Sequence, residues 1–325
     1  MEVRRRRILD LPHRRLRRRR RLTRGKGTHN VKGGGAELLV AAIQMGSTLG
    51  DPDGNRERGV GWLRRAAEEG VGLAVLPELS VSGYAPATRE DALRMAEPVP
   101  GPSVEAWGKV AREAGMMVVG GLTEREGDRC YNAAVAVNLD GSATIYRKAH
   151  LFEGERKVFD PGDTGFPVID APFGKVGVLI CYDLRFPEAL RTLAVRGAQV
   201  VAVPTAWVTL TGRRSDDRGV SMQAYCAQAL ASMNRVFMMC AGMIGRFRDT
   251  EFLGNSLVTD VTGWPLAGPA DDRSERLVLA TVNPTQALSK AITPENDLLA
   301  DRRPELYETG GPGSPGSFAP NGVSA

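Results

Sequence analysis

Residues 176–203 read VGVLICYDLRFPEALRTLAVRGAQVVAV, in which two apolar runs flank a polar turn and a helical pattern. Val176–Ile180 and Gln199–Val203 are typical of buried strands, and Pro187–Gly197 has the apolar spacing of a helix. Two parallel strands joined through a helix form a βαβ unit. This stretch therefore predicts an α/β fold.

The same alternation of strand and helix occurs on both sides of this stretch. Before it, the sequence predicts strands at Leu38–Met45, Leu73–Leu76 and Met116–Leu122, and helices at Asn55–Gly70 and after a capping Ser103. After it, the sequence predicts a helix at Gly219–Asn234 and strands at Val236–Cys240, Phe252–Thr259, Gly263–Ala267 and Arg276–Val282.

Between these two halves the pattern changes to antiparallel strands. Tyr131–Asn138 and Ser142–Arg147 flank Leu139-Asp140-Gly141, and an Asp-Gly pair is a strong hairpin signal. Two βαβ-rich halves separated by a hairpin favour two mixed sheets packed face to face with helices outside. The predicted fold class is α/β, as a four-layer α-β-β-α sandwich.

Charge divides the 325-residue chain into segments. Residues 1–35 contain twelve arginines and two lysines against Glu2 and Asp10, a net charge of +12 that leaves −7 for the rest of the chain. Having almost no apolar residues to bury, this arm is expected to be disordered. We expect one catalytic domain at 36–308 and a flexible Gly-, Pro- and Ser-rich tail at 309–325.

Composition excludes several classes of protein. Hydrophobic residues make up 42% and charged residues 25%, as in an ordinary globular chain, and no apolar run is long enough for a membrane span. The arm lacks the apolar core of a signal peptide, and the four cysteines have neither disulfide nor zinc spacing. These features indicate a cytoplasmic protein with no membrane partner.

Three chemically active residues follow predicted strands, where α/β sheets commonly place their sites. Glu78 occurs in GLAVLPELSVSGY, Lys148 in IYRKAHLF and Cys181 in GVLICYDLRFPE. Each is surrounded by apolar sequence, where an unpaired charge would cost several kcal/mol, roughly. A pocket shared by Glu78, Lys148 and Cys181 would remove that cost.

The strings PELSVSGY, YRKAHLF with FDPG (Phe159–Gly162), and CYDLRFPE resemble the three motifs of the carbon–nitrogen hydrolase family, also called the nitrilase superfamily. The resemblance extends from about Leu38 to Tyr307, in the order and spacing of the family. It implies a Glu–Lys–Cys triad at Glu78, Lys148 and Cys181.

The resemblance also implies the chemistry. The Cys181 thiolate would attack an amide carbon, Glu78 would move protons, and Lys148 with the backbone N–H of Tyr182 would bind the oxyanion. Glu155, seven positions after the lysine, would hold Lys148 or orient the substrate. The resemblance implies neither a metal nor a cofactor, and it implies a homodimer or a larger homo-oligomer. Asp183 and Arg185 are expected to support the protein's own loops.

The sequence is compatible with several functions. The favoured one is a thiol amidohydrolase cleaving a small linear amide through a thioester, with an N-carbamoyl amide hydrolase as the alternative. A nitrilase is disfavoured because Tyr182-Asp183 follows the cysteine, where nitrile-cleaving relatives usually have Trp-Glu. A papain-type enzyme would need His150 as its base, and a nucleic-acid-binding protein would act through the basic arm.

Overall fold

The structure, a computed structural model, describes residues 37–84, 86–209, 214–247 and 250–307. The Arg-rich arm and the C-terminal tail lie outside these ranges. The described α-helices are α1 (Pro52–Glu68), α2 (Arg89–Met95), α3 (Pro102–Ala114), α4 (Pro187–Val195) and α5 (Met222–Asn234). Among the described helices, none is both long and apolar enough to cross a bilayer.

The strands are short and, in the described part of the chain, fall into two main groups. They are β1 (Leu38–Gln44), β2 (Leu73–Val75), β3 (Met117–Glu126), β4 (Arg129–Val137), β5 (Ala143–Arg147), β6 (Val168–Ala171), β7 (Gly174–Val178), β8 (Val200–Thr205), β9 (Phe237–Gly242), β10 (Arg246–Phe247), β11 (Thr250–Glu251), β12 (Leu257–Thr259), β13 (Pro265–Ala267) and β14 (Arg276–Val282).

These described strands form two six-stranded sheets and a small β10–β11 ribbon. The first sheet has the order β14-β1-β2-β3-β4-β5, and the second has the order β13-β12-β9-β8-β7-β6. The central strands β1, β2 and β3 are parallel, as are β7, β8 and β9, while the outer strands pair antiparallel. Both sheets are mixed, as the sequence predicted.

Alternating side chains of each strand build the layers. Val40 and Ala42 of β1 pack toward the second sheet, whereas Ala41 and Ile43 pack with the helices α1 and α3. A corresponding apolar cluster joins the second sheet to α4 and α5. Strands buried on both faces need apolar residues at every position, which explains runs such as LLVAAIQM. The predicted four-layer α-β-β-α sandwich is confirmed.

The hairpin predicted between the two halves is also present. Strands β4 and β5 pair antiparallel with Val137 opposite Ala143, and the backbone N–H of Asn138 donates to the Ser142 carbonyl at 2.8 Å. Gly141 has a φ of +86°, which glycine adopts without steric cost. The Asp-Gly pair therefore makes the turn that ends β4.

Two local predictions were wrong. Only Leu257–Thr259 of the strand expected at Phe252–Thr259 forms, because Gly254 and Asn255 have φ values of +58° and +54° that interrupt the extended backbone. Ser103 does not cap α3, which begins at Pro102; its hydroxyl instead donates to Glu97 Oε1 at 2.9 Å. The short elements α2 and β6 had no clear periodicity in the sequence.

The topology brings three strand ends to one region. β2 and β5 run in the same direction, because β5 is antiparallel to β4 and β4 is antiparallel to β3. A parallel bridge between Met45, after β1, and Met243, after β9, joins the corresponding edges of the two sheets. The residues that follow β2, β5 and β7 therefore meet where the two sheets come together.

Candidate active site

Glu78, Lys148 and Cys181 come together at this edge, as the sequence predicted. Lys148 Nζ lies 2.6 Å from Glu78 Oε1, and both side chains have an exposed fraction of 0%. The Glu78 carboxylate lies close enough to Cys181 to raise the pKa of its thiol. The three groups thus form one cluster although they are separated by up to 103 positions in sequence.

Glu155 completes the charged cluster. It lies in a 3₁₀ helix (Glu153–Lys157), and its oxygens accept from Lys148 Nζ at 2.8 and 3.0 Å and from the Phe152 amide at 2.8 Å. Asn132 on β4 donates from one Nδ2 to Glu78 Oε1 at 2.8 Å and to Glu155 Oε1 at 3.1 Å. Glu155 is buried against Lys148, so it is not a solvated loop acid.

Cys181 has an unusual backbone. It begins a second 3₁₀ helix (Cys181–Arg185), two residues beyond the end of β7, with a φ of +44° that an L-residue seldom adopts. Such a backbone turns the thiol away from the line of the strand, and conformations of this kind cluster at functional sites. The half-buried Cys181 reaches both the buried charges and an open cleft.

The electrostatics keep the resting thiol protonated. Burial and the Glu78 carboxylate raise the pKa of Cys181 well above its usual value, against the opposing effect of Lys148, and the Ala206 backbone N–H also favours the thiolate. Burial alone would lower the pKa of Lys148, but Glu155 and Glu78 outweigh it and the net shift is upward. For Glu155 burial has the opposite effect and raises the pKa of the carboxyl group, although the positive charge of Lys148 opposes this rise.

Two glycines allow the loops of the cluster to approach so closely. A Cβ on Gly121 of β3 would lie 2.5–2.7 Å from Pro77 O, Leu79 N and Glu78 Cα. A Cβ on Gly162 would overlap the Arg147 carbonyl, and the Gly162 amide donates to the Lys148 carbonyl at 3.0 Å. Glycine at these positions is therefore required for the observed places of Glu78 and Lys148.

Asp183 connects the segment that contains Cys181 to the segment that contains Lys148 through hydrogen bonds. Its buried carboxylate accepts from Tyr146 Oη at 2.6 Å and from the Ile180 and His150 amides at 2.9 and 3.1 Å. His150 Nδ1 lies 2.8 Å from the same carboxylate, and its ring stacks on Phe186 at 3.6 Å. Asp183 has the expected supporting role, and His150 is held outside the wall of the cleft.

A cleft of about 430 Å³ opens beside Cys181. Its walls are largely aromatic and aliphatic, and include Tyr84, Phe152, Tyr182 and Trp207. Arg185 also lines this cleft and its side chain is exposed, so the expectation that it supports a loop was wrong. The cleft has the apolar lining of a small-molecule site.

Tyr84 and Asn132 were missed in the sequence. Burial, together with the negative charge of Glu155, raises the pKa of the Tyr84 hydroxyl. Asn132 had a usable signal, because it is a polar residue inside the apolar strand YNAAVAV that β4 buries. Tyr84 had none, since a tyrosine after a strand is equally typical of ordinary packing.

The described residues hold no group of three or more His, Cys, Asp or Glu side chains placed to bind a metal ion. The side chains that do converge are two carboxylates, one ammonium group and one thiol. This set can move a proton from sulfur to carboxylate and can present positive charge to a developing oxyanion. It is suited to nucleophilic attack on a polarised carbon.

Comparisons with known proteins agree with this geometry. Residues 39–289 match the family model described as carbon-nitrogen hydrolase. A nitrilase of Pyrococcus abyssi is 36% identical over 83% of this chain and 99% of its own, and an N-carbamoylputrescine amidase of Arabidopsis thaliana is 30% identical over 84% and 94%. A solved variant of an amidase from Nesterenkonia has a TM-score of 0.67 at 26% identity, over 84% of this chain and 97% of that one.

The family match covers most of the described chain, and the two mixed sheets with their helices agree with the fold of the solved relative. The chain therefore belongs to the carbon–nitrogen hydrolase family, the nitrilase superfamily.

Proposed function

We propose that this hydrolase is a metal-independent thiol amidohydrolase that cleaves the C–N bond of a small linear amide through a Cys181 thioester. The observation that carries the proposal is the convergence of buried Glu78, Lys148 and Glu155 on Cys181 at the wall of the cleft. Burying these charges has a large desolvation cost, and perturbed clusters of this kind are typical of catalytic sites.

The first half of the reaction forms the thioester. Glu78 takes the thiol proton as Cys181 Sγ attacks the amide carbon, and the carbonyl oxygen becomes an oxyanion. Lys148 Nζ and the Tyr182 backbone N–H stabilise that oxyanion. Each such donor contributes about 3 kcal/mol of transition-state stabilisation. Protonated Glu78 then gives its proton to the leaving nitrogen, and ammonia or an amine departs.

The second half hydrolyses the thioester. Glu78, ionised again, takes a proton from water, and the hydroxide attacks the acyl carbon. Collapse of the intermediate releases the carboxylic acid, and the sulfur regains the proton from Glu78. Glu155 positions Lys148 throughout, because its two oxygens accept from the ammonium group.

Solved relatives support this assignment of the nucleophile. In one structure, a glutamate-to-glutamine variant of the Nesterenkonia amidase carries the acetamide moiety of fluoroacetamide covalently added at the active-site cysteine, and in another a double variant is in complex with acrylamide. We infer that Cys181 is the matching residue, since it alone among the four cysteines lies beside the Glu78–Lys148 pair in the described structure.

An N-carbamoyl amide hydrolase remains the second candidate, favoured by the similarity to N-carbamoylputrescine amidases. Both reactions release ammonia, whereas only cleavage of a carbamoyl group also releases carbon dioxide. The similarity to a nitrilase makes nitriles a third substrate class to test in the same assay. A panel of amides, carbamoyl amines and nitriles, scored for ammonia and carbon dioxide, separates the three.

The nucleophile can be tested directly. In Glu78→Gln, fluoroacetamide should add one acetamide group to the peptide containing Cys181, with loss of fluoride. Cys181→Ala should abolish this labelling in the Glu78→Gln background and should abolish ammonia release by the otherwise unmodified protein. Cys226→Ala is the matched control, because Cys226 lines the same cleft and its charged contact is Arg185, at 3.9 Å, instead of the Glu78–Lys148 pair. Ammonia release above background by folded Cys181→Ala would contradict the proposal.

We also propose that the enzyme works in the cytoplasm as a homodimer or a larger homo-oligomer. The cysteines of the described chain are all free, as in a reducing compartment. Light scattering at several concentrations measures the oligomeric state, and a monomer at all concentrations would contradict this part.

A further inference from the structure

A cluster of cations lies at the C-terminal end of α5 and does not line the cleft. Lys290, which is 7% exposed, donates from Nζ to the Arg235 carbonyl at 2.8 Å. Arg191, on α4, donates from Nη2 to the Met233 carbonyl at 2.8 Å. The side chain of Arg235 itself donates from Nε to the Ser289 carbonyl at 2.9 Å. Three cations from three parts of the chain therefore meet at the end of one helix.

These cations have no carboxylate partner in the described part of the chain. Arg147 and Lys148, the other two cations that are buried there, each contact at least two carboxylates. Arg191, Arg235 and Lys290 have none within ion-pair distance among the described residues, and their side chains donate to backbone carbonyls instead. Lysine has three N–H donors, of which the Arg235 carbonyl accepts one.

One nitrogen of Arg191 has no acceptor. Its Nη1 is buried and has no hydrogen-bond partner among the described residues, although Nη2 of the same group is bonded. A buried donor of a charged group that loses its hydration without gaining an acceptor is unfavourable. Neighbouring N–H groups of a guanidinium bind two oxygens of one anion. Arg191 is therefore arranged to bind an oxyanion that the described chain does not supply.

The electrostatics of the cluster show an excess of positive charge. Burial and the charge of Arg302 lower the pKa of Arg191. Burial and the charges of Arg235 and Arg191 lower the pKa of Lys290. Asp297 opposes the shift of Lys290 with a smaller effect, and its carboxylate accepts from two backbone amides of its own loop. An added anion would offset the charge that remains.

The amount of charge favours a phosphate group over a carboxylate. The C-terminal end of a helix carries about half a negative charge, which offsets only a small part of three positive charges. A phosphate group carries a charge of about −1.5 to −2 near neutral pH, and it has more acceptor oxygens than a carboxylate. It can therefore accept from more than one of the three cations at once.

We propose that Arg191, Arg235 and Lys290 form a binding site for a phosphate group, either the inorganic ion or a small phosphate monoester. The site is separate from the catalytic cleft. Cys226 in the first half of α5 lines the cleft, and Met233 lies about 10 Å farther along the same helix. The proposal therefore does not depend on the proposed function.

Thermal unfolding and calorimetry at pH 7 measure the binding of inorganic phosphate. With an expected Kd of about 1 mM, a phosphate concentration of about 20 mM should raise Tm by about 3 °C relative to sodium chloride at the same ionic strength. An equal rise with sodium chloride would show general screening of the cations and would overturn the proposal.

A phosphate monoester, glycerol 3-phosphate, is the second ligand in the same assay. Tighter binding than that of the inorganic ion would identify an ester as the preferred ligand, and weaker binding would identify the free ion. Both results support a phosphate site only if the binding requires the same three residues.

Substitutions locate the site. Arg191→Met and Lys290→Met should each weaken phosphate binding at least about 10-fold and remove the rise in Tm. Arg191→Lys should bind phosphate with intermediate affinity, because lysine keeps the charge and loses the paired donors. Arg64→Met, at an exposed arginine on α1, is the control and should bind phosphate normally. Phosphate binding that is unchanged in Arg191→Met and Lys290→Met would overturn the proposal.

Carboxylates of a second copy of the chain are the alternative partners of these cations. Light scattering of the wild-type protein, Arg191→Met and Lys290→Met, each with and without phosphate, separates the two possibilities. A phosphate site predicts the same oligomeric state in all three proteins. An oligomer that dissociates in both variants, together with a wild-type Tm that phosphate does not change, would overturn the proposal in favour of a second copy.

Discussion

At the scale of single residues, the central feature is an ammonium group held between two carboxylates. Lys148 is fully buried and its Nζ lies within 2.8 Å of an oxygen from each of Glu78 and Glu155. Glu78 Oε2 is buried and has no hydrogen-bond partner among the described residues. Replacing a buried ionic cluster by apolar residues is often neutral or stabilising, so stability alone does not account for these charges, and this favours the role proposed for them in the reaction.

We predict that Glu155→Gln lowers kcat by about 100-fold and changes KM little, a loss of about 3 kcal/mol of transition-state stabilisation. Glutamine preserves the shape of Glu155 but not its charge, and that charge raises the pKa of Lys148. Without it the pKa of Lys148 falls, so the loss of activity at alkaline pH should begin at a lower pH.

The matched control is Glu153→Gln, an exposed glutamate in the same 3₁₀ helix. It should leave both kcat and the pH profile unchanged. If the alkaline limb of the pH–activity profile of Glu155→Gln stays where it is in the wild-type enzyme, then Glu155 does not act through the charge of Lys148.

At the scale of elements, the site depends on close packing of backbone against backbone. The loop that carries Glu78 lies directly on β3, where the Gly121 amide donates to the Pro77 carbonyl at 3.2 Å. We predict that Gly121→Ala destabilises the fold by about 1–3 kcal/mol, because the new Cβ forces this loop away. Displacing Glu78 should also lower kcat by about 100-fold.

Denaturant unfolding and steady-state kinetics measure the two effects of Gly121→Ala. Gly61→Ala on α1 is the control, since a Cβ there meets open space and alanine favours a helix by about 1 kcal/mol over glycine. It should stabilise the protein and leave kcat unchanged. Full activity in Gly121→Ala would show that the Glu78 loop tolerates displacement.

The segment after β14 packs a lysine beside other cations. Lys290 is 7% exposed, and its Nζ donates to the Arg235 carbonyl at 2.8 Å. Burial, with the charges of Arg235 and Arg191, lowers the pKa of Lys290 to about 8, which Asp297 only partly opposes. Below pH 8 the folded protein therefore bears the full free-energy cost of burying the charged ammonium group of Lys290. This cost falls as the pH rises from 8 toward the pKa of lysine in the unfolded chain.

We predict that the free energy of unfolding of the wild-type protein, relative to Lys290→Met, rises by about 2–3 kcal/mol between pH 7 and pH 10. Denaturant unfolding of both proteins at several pH values measures this difference. Lys109→Met, on the exposed face of α3, should show no such dependence. A pH-independent difference for Lys290→Met would mean that this lysine titrates normally.

The elements that the sequence predicted correctly are those with strong local patterns. Buried strands such as β1 and β8 are continuous apolar runs, and the Asp-Gly turn fixes the β4–β5 hairpin. The interrupted strand before β12 was not predictable, because the left-handed backbone of Asn255 is set by tertiary contacts. Its side chain accepts from Ser221 N at 2.7 Å and donates to the Ala270 carbonyl at 2.9 Å.

The site could be predicted in part for the same reason. Glu78, Lys148 and Cys181 each follow an apolar strand within a recognisable motif, so their types and spacing were sufficient. The position of Arg185 at the cleft could not be predicted, because the sequence does not show which way its side chain turns.

At the scale of the whole molecule, two similar halves supply different parts of the site. The half built on β1–β5 contributes Glu78 and Lys148, and the half built on β7–β9 contributes Cys181. Their inner faces share one apolar cluster, which includes Val75, Val119, Val178 and Met239. The catalytic distances therefore depend on the packing of one sheet against the other.

The Arg-rich arm differs from the rest of the chain in charge. Residues 1–35 carry a net charge of +12 and few apolar residues, whereas the rest of the chain carries −7. Since the proposed site is built from residues after this arm, we predict that deleting 1–35 leaves kcat/KM and Tm nearly unchanged. Thermal unfolding and ammonia release measure this, and a drop of several degrees in Tm would show that the arm packs on the domain.

The full-length and truncated proteins also test the nucleic-acid function. Binding of DNA or RNA that weakens with salt and needs residues 1–35, in a protein without amidase activity, would favour that function instead.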